Sequence, residues 1–260
     1  MAGGGHGIDH PRMKKVMLIT GASRGIGAAT ARLAGERCYA VAVNYASSAD
    51  AAKRVVADIE AKGGVAIAIQ GDVAQEADIL RVFKTVDEKL GTLSVLINNA
   101  GILETQMRLD EMTGQRIDRV FGVNVRGSFL CAREAVKRMS TKHGGKGGAI
   151  VNLTSKASKI GSPNEFIDYA ASKGAIDTMT VGLAKEVATE GIRVNAVAAG
   201  LIATDIHIAA GEPGRPERMK GAIPMQRAGT VEEVAKAILW LAGDDASYTT
   251  GSILEVTGGR

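Results

Sequence analysis

Several things are scarce in this chain. Its 260 residues include two cysteines, Cys38 and Cys131, far apart and each among aliphatic neighbours. No C-x-x-C and no Cys/His run of metal-ligand spacing occurs, which excludes a disulfide scaffold and a zinc finger and leaves no metal site to expect. Both thiols are expected to be buried and reduced, as in a cytoplasmic protein. Aromatic residues are only 3%, which disfavours an aromatic-rich β-sandwich and points to a core of Val, Ile, Leu and Ala. No apolar run approaches the roughly 18 residues of a membrane span, and no apolar signal region opens the chain. Net charge is modest, +4 from 32 basic and 28 acidic residues. The cations are dispersed, with no aromatic-interleaved basic stripe, so no nucleic-acid partner is expected. A mildly positive surface does suit a phosphorylated cofactor.

Glycine is the exception. There are 33, roughly twice the usual ~7%, with no collagen period. Residues 1–13, with Gly3, Gly4, Gly5, Gly7, His6 and His10, read as a polar arm outside the fold. From residue 14 to 260, short aliphatic runs alternate with longer amphipathic ones. Strands are expected at Val16–Thr20, Ala40–Tyr45, Val65–Gln70, Val95–Asn98, Ala149–Thr154, Arg193–Ala198 and Ser252–Val256. Helices are expected at Ile26–Arg37, Ala49–Lys62, Glu76–Leu90, Thr113–Lys142 (breaking near Gly122 or Gly127), Asp168–Glu190 and Val231–Ala242. The strands lack polar alternation, the pattern of a parallel sheet buried on both faces. The expectation is a single doubly wound α/β domain with a mainly parallel sheet of about seven strands. Residues 200–230, rich in Gly and Pro, interrupt the rhythm after the sixth strand, and residues 206–227 within them read as a segment covering a substrate.

The first strand runs into Thr20-Gly21-Ala22-Ser23-Arg24-Gly25-Ile26-Gly27 and then a helix. Glycines there permit a tight turn, a close backbone approach and close helix–strand packing. The helix N-terminus offers free N–H groups to a phosphate. A carboxylate about 20 residues on selects NAD by holding the ribose 2′-OH. Here the second strand ends Asn44-Tyr45-Ala46-Ser47-Ser48, with no carboxylate, and Arg24 can face a 2′-phosphate. NADP(H) is therefore favoured over NAD(H). Tyr169 and Lys173 share a helix face at i, i+4. A nearby ammonium favours the phenolate and lowers a phenol pKa, making Tyr169 usable as a general acid or base. Ser155, just past the fifth strand, can hydrogen-bond the substrate oxygen; Ser158 competes for that role.

Together, Thr20–Gly27, Asn98-Asn99-Ala100-Gly101, Asn124, Ser155 and Tyr169…Lys173 resemble the short-chain dehydrogenase/reductase family over about Lys14 to Arg260. The nearest branches are sugar-dehydrogenase-like or 3-oxoacyl-carrier-protein-reductase-like oxidoreductases. The resemblance implies a catalytic set of Asn124, Ser155, Tyr169 and Lys173, with Asn124 holding a proton-relaying water. It implies cofactor contacts from Gly21, Ser23, Arg24, Gly25, Ile26, Gly27, Asn44, Ser47 and Ser48, then Asp72 and Val73 at the adenine, and Asn98, Ala100 and Gly101 at its ribose. Tyr169, Lys173, Gly200, Ile202 and Thr204 would hold the nicotinamide side. It also implies a cytoplasmic homo-oligomer, tetramer before dimer, acting on a small carbonyl or alcohol. Ala199 stands where the family usually has proline, which is expected to loosen that loop. Two rival readings stay open: an NAD-dependent sugar dehydrogenase and a non-catalytic nucleotide-binding regulator.

Overall fold

The aliphatic runs and amphipathic stretches pair off into strands and covering helices in a computed structural model, which describes residues 15–204 and 206–260. The expected arm, residues 1–13, lies outside the described residues. The strands are β1 Val16–Ile19, β2 Ala40–Tyr45, β3 Val65–Gln70, β4 Leu93–Asn98, β5 Gly148–Ser155, β6 Ile192–Ala199 and β7 Ile253–Val256. The helices are α1 Gly25–Glu36, α2 Ala49–Glu60, α3 Glu76–Lys89, α4 Gly114–Phe121, α5 Ser128–Met139, α6 Ala157–Ile160, α7 Ile167–Val187, α8 Ile206–Ala209, α9 Arg215–Met219 and α10 Val231–Ala242. All seven strands are parallel, in the order β3-β2-β1-β4-β5-β6-β7.

Because strand side chains alternate, β1 splits its residues between two cores. Met17 and Ile19 face the layer of α1, α2 and α10, with Ala31, Val55 and Ile238. Val16 and Leu18 face the layer of α3, α5 and α7, with Phe83, Ala135 and Ile176. Small residues on α1 let it lie close to the sheet. The central strands are buried on both faces, as their composition requires. The two edge strands are not: Val65 and Leu254 are exposed.

The long helix expected over residues 113–142 is broken by a π-helical turn at Gly122–Gly127, spanning both glycines read as breakpoints. Thr113 caps α4 by accepting the Arg116 N–H. Thr230 and Glu233 form a capping box at α10. The thiol expectation fails at Cys38, which is exposed. It sits in the turn between α1 and β2 at φ 62°, where the chain reverses at the surface before entering the sheet. Cys131 is buried, and burial pushes its thiol up to about 12.

A buried polar chain crosses the sheet's second core. Asn98 Nδ2 donates to Asn152 Oδ1 at 2.9 Å, and Asn152 Nδ2 donates to Thr180 Oγ1 at 2.9 Å. Thr180 Oγ1 in turn donates to the Ile176 carbonyl. These bonds fix β4, β5 and α7 in one register. Asn152→Leu removes one buried hydrogen bond from each neighbour, and should lower unfolding free energy by about 1–3 kcal/mol. Chemical denaturation would show no loss if the chain of bonds contributed nothing.

Candidate functional site

The strand order reverses between β1 and β4, so their following loops part and open a crevice at the carboxyl edge of the sheet. A cleft of about 480 Å³ occupies that edge. Gly21 turns at φ 61°, a left-handed conformation that favours glycine. A Cβ there would lie 2.9 Å from the Ala100 Cα. At Gly27 a Cβ would lie 2.5 Å from Asn99 Nδ2 and 2.8 Å from the Gly21 carbonyl. Thr20 ties the same point together: its hydroxyl accepts the Asn99 and Ala100 N–H groups, each at 3.0 Å.

Gly21, Ser23, Arg24, Gly25 and Ile26 line one side of the cleft, and Arg24 is exposed. Ser47, Ser48, Asp72 and Val73 line the far end beyond β2 and β3. Ala100, Gly101, Gly200, Ile202 and Thr204 line it over β4 to β6. Ser155, Tyr169 and Lys173 also line it, whereas Ser158 does not.

Three sequence expectations need correction. Asn98 points into the core rather than the cleft, as the last β4 residue on the inner face; Asn99 lines the cleft instead. Asn99 Nδ2 holds the Thr20 and Gly21 carbonyls at 2.8 and 3.0 Å. Asn44 borders the cleft, but its side chain serves the loop. Its Oδ1 accepts the Gly21 N–H, and its Nδ2 donates to the Ile69 and Gly71 carbonyls. Asn124 is fully buried and outside the lining. Its amide bonds the Ile102 backbone twice, at 2.8 and 3.1 Å, and donates to Ser172 Oγ at 3.1 Å. The side chain therefore anchors the wall after β4, and both its N–H groups are spent. Ala199, where the family usually has proline, pairs with Val256 in the sheet, and the Gly200 N–H donates to the Val256 carbonyl.

The electrostatics also differ from expectation. Burial raises the Tyr169 phenol above its ordinary value, and a hydrogen bond with Ser155 pulls it down in part. Lys173 does not prevail over that burial; its Nζ lies 5.6 Å from the Tyr169 ring centroid. It donates instead to the Leu153 carbonyl at 2.8 Å. Burial lowers Lys173 to about 8, and the Asp177 carboxylate one helical turn on works against that shift. A Cβ on Gly101 would lie 3.5 Å from Lys173 Nζ, so glycine keeps the approach to the ammonium open. Ser155 Oγ donates to the Ala199 carbonyl at 3.4 Å and accepts the Ala157 N–H at 3.1 Å.

The sequence reading placed Arg215 in the segment covering the substrate but missed what it contacts, and it missed Phe166; both line the cleft. Arg215 on α9 pairs with Glu165 through both carboxylate oxygens, at 3.1 and 2.5 Å, and stacks on the Phe166 ring at 5.1 Å. It thereby draws the segment after β6 toward the turn before α7. Only the run Glu165-Phe166 followed by an isolated Arg215 hinted at it, and spacing cannot show that they meet. Among the described residues, no cluster of three His, Cys, Asp or Glu could hold a metal. No helix among them is long and apolar enough to cross a membrane.

The depressed Lys173 value makes a stability prediction. Between about pH 8 and 10.5 the unfolded chain binds more protons at this lysine than the folded one, so this group makes stability rise with pH. Lys173→Met should remove that rise. Urea unfolding across about pH 7 to 10.5 tests it; parallel curves for the two proteins would show that the ammonium is not held low.

The profile of the family described as enoyl-(acyl carrier protein) reductase matches residues 21–260. The chain is 54% identical over 245 residues to the uncharacterised oxidoreductase YgfF of Escherichia coli K12, covering 94% of this chain and 99% of that protein. It is 40% identical over 248 residues to the 3-oxoacyl-[acyl-carrier-protein] reductase FabG of Staphylococcus aureus Mu50, covering 95% and 98%. A solved short-chain dehydrogenase/reductase from Serratia marcescens superposes with a TM-score of 0.87 at 32% identity, over 96% of this chain and 99% of that one. With a parallel seven-stranded sheet and its cleft at the switch point, the chain belongs to the short-chain dehydrogenase/reductase family of oxidoreductases.

Proposed function

We propose that this oxidoreductase transfers a hydride between NADP(H) and a carbonyl or alcohol substrate, with Tyr169 exchanging the proton on the substrate oxygen. The observation that carries this reading is the meeting of Ser155, Tyr169 and Lys173 in one cleft with a glycine loop at a helix start. The residues fit a dinucleotide. At Gly21, Gly27 and Gly200 the backbone packs so closely that a Cβ would fall under 3 Å from a neighbour, while at Gly25 a Cβ would meet nothing nearer than 3.9 Å. The loop is thus rigid where it packs and open where a phosphate would approach the α1 N-terminus.

The cations favour the 2′-phosphorylated cofactor. Asp72 is the one carboxylate among the described lining residues, against Arg24, Lys156, Lys173, Arg215 and Arg260. Lys156 and Arg215 are neutralised by Glu255 and Glu165. Arg24 is exposed in the loop itself, and β2 is followed by Ser47 and Ser48 rather than by a carboxylate.

When bound, the nicotinamide supplies or accepts the hydride. In the reducing direction, the raised phenol value keeps Tyr169 protonated at neutral pH, so its O–H is available to the substrate oxygen. The Ser155 hydroxyl, turning its one proton from the Ala199 carbonyl, donates to the same oxygen as negative charge develops there. The Lys173 ammonium, a turn along α7, stabilises the phenolate left behind. The lining near this end includes Ile102, Leu103, Ile160, Phe166, Leu201 and Ile206, which suits a substrate with an apolar body. The relative named as a 3-oxoacyl reductase fits the same class of carbonyl.

Tyr169→Phe should retain cofactor affinity and lose about 10²–10⁴-fold in turnover. Undiminished turnover in that variant would remove the mechanism. Arg24→Gln should raise the KM for NADPH about tenfold or more and leave that for NADH within about twofold. Equal use of NADH by the unaltered enzyme would favour the NAD-dependent reading instead.

A further inference from the structure

We propose that a buried ion pair, Arg116 with Asp168, is a positioning device for Tyr169 and for the substrate-side wall of the cleft; this rests on the assignment of Tyr169 as the proton-exchanging residue. Arg116 lies on α4 and Asp168 on α7, and their side chains are only 5% and 2% exposed. Arg116 Nε donates to Asp168 Oδ2 at 2.7 Å, and its Nη2 donates to Oδ1 at 3.3 Å. The remaining arm of the guanidinium, Nη1, donates to the Thr105 carbonyl at 2.6 Å.

Asp168 is next in sequence to Tyr169. The residue before α7, Phe166, has no side-chain oxygen to cap the helix, so the first-turn N–H groups lack the usual acceptor. Asp168 Oδ1 accepts the Tyr169 N–H at 2.9 Å. The carboxylate also lies at the positive end of the helix dipole. One buried carboxylate thus holds the backbone from which the phenol projects, and one guanidinium holds that carboxylate.

The same guanidinium anchors the loop between β4 and α4. That loop contains Ile102 and Leu103, which line the cleft, and Thr105, which Arg116 grips. A second stitch, from the Met107 N–H to the Glu165 carbonyl at 3.0 Å, joins the loop to the turn preceding α7. Moving the pair therefore moves the proton donor and the wall facing it together. A misplacement on the order of 1 Å costs about 10²-fold in rate.

A buried ion pair can often be exchanged for apolar residues without loss of stability, while a single substitution strands a charge. That separates structure from positioning. In Arg116→Met/Asp168→Leu, the melting temperature and NADPH affinity should stay close to the unaltered protein. Its kcat should fall about 10- to 100-fold, and the pair should add no further loss in a Tyr169→Phe background. Recovery of kcat along with stability would overturn the proposal. If the double variant does not fold, Arg116→Lys decides. It keeps the charge but cannot bridge both carboxylate oxygens and Thr105, so a folded protein with about 3- to 10-fold lower kcat is expected; an unchanged kcat overturns the proposal. An inactive Tyr169→Phe beside a fully active Met/Leu variant defeats the positioning role alone. A fully active Tyr169→Phe defeats the catalytic assignment beneath it.

Discussion

Seven strands running in one direction place all their carboxyl ends on a single edge, and everything functional here depends on that constraint. The strand order reverses between β1 and β4, so the chain leaves the sheet in opposite directions on either side of one point. The crevice so made would close or widen if the two loops moved independently. Thr20, Gly27 and Asn99 prevent this by joining the β1–α1 turn to the end of β4 through hydrogen bonds and sub-3 Å packing. The glycines there are a packing requirement before they are a binding one.

The rest of the site is supported from below by buried polar groups, each satisfying a specific backbone atom. Asn44 holds Gly21, Asn124 holds Ile102, and Lys173 holds the Leu153 carbonyl. Such bonds stabilise modestly when made and cost more when broken at one end. They give the cleft a rigid rear wall. The segment after β6 is organised differently: two short helices, α8 and α9, reach the cleft and are drawn in by the ion pair of Arg215 with Glu165. The glycine-loop side of the cleft is thus firm, and the side of α8 and α9 is strapped to the turn before α7.

Much of the architecture was legible because it follows from local rules. β2, β3 and α10 begin and end where aliphatic runs and caps predict, since turns and glycines punctuate them sharply. Ser155, Tyr169 and Lys173 were legible from spacing on one helix and one strand end. Asn98 and Asn99 were confused because a one-residue step reverses the face of a strand, and the sequence does not show which step the strand's end takes. Cys38 deceived because aliphatic neighbours do not reveal a left-handed surface turn. Arg116 with Asp168, and Arg215 with Glu165, are contacts across 52 and 50 residues, and a spacing rule does not reach that far.

The Arg116–Asp168 contact has a consequence for descent. Its two members lie on opposite sides of β5 in the chain, yet share one dry location. A recombinant that takes only one of the two residues, from a parent that has the pair joined to one that lacks it, carries a buried charge without its counter-ion. Only crossovers outside positions 116 and 168 keep the pair whole in such a cross.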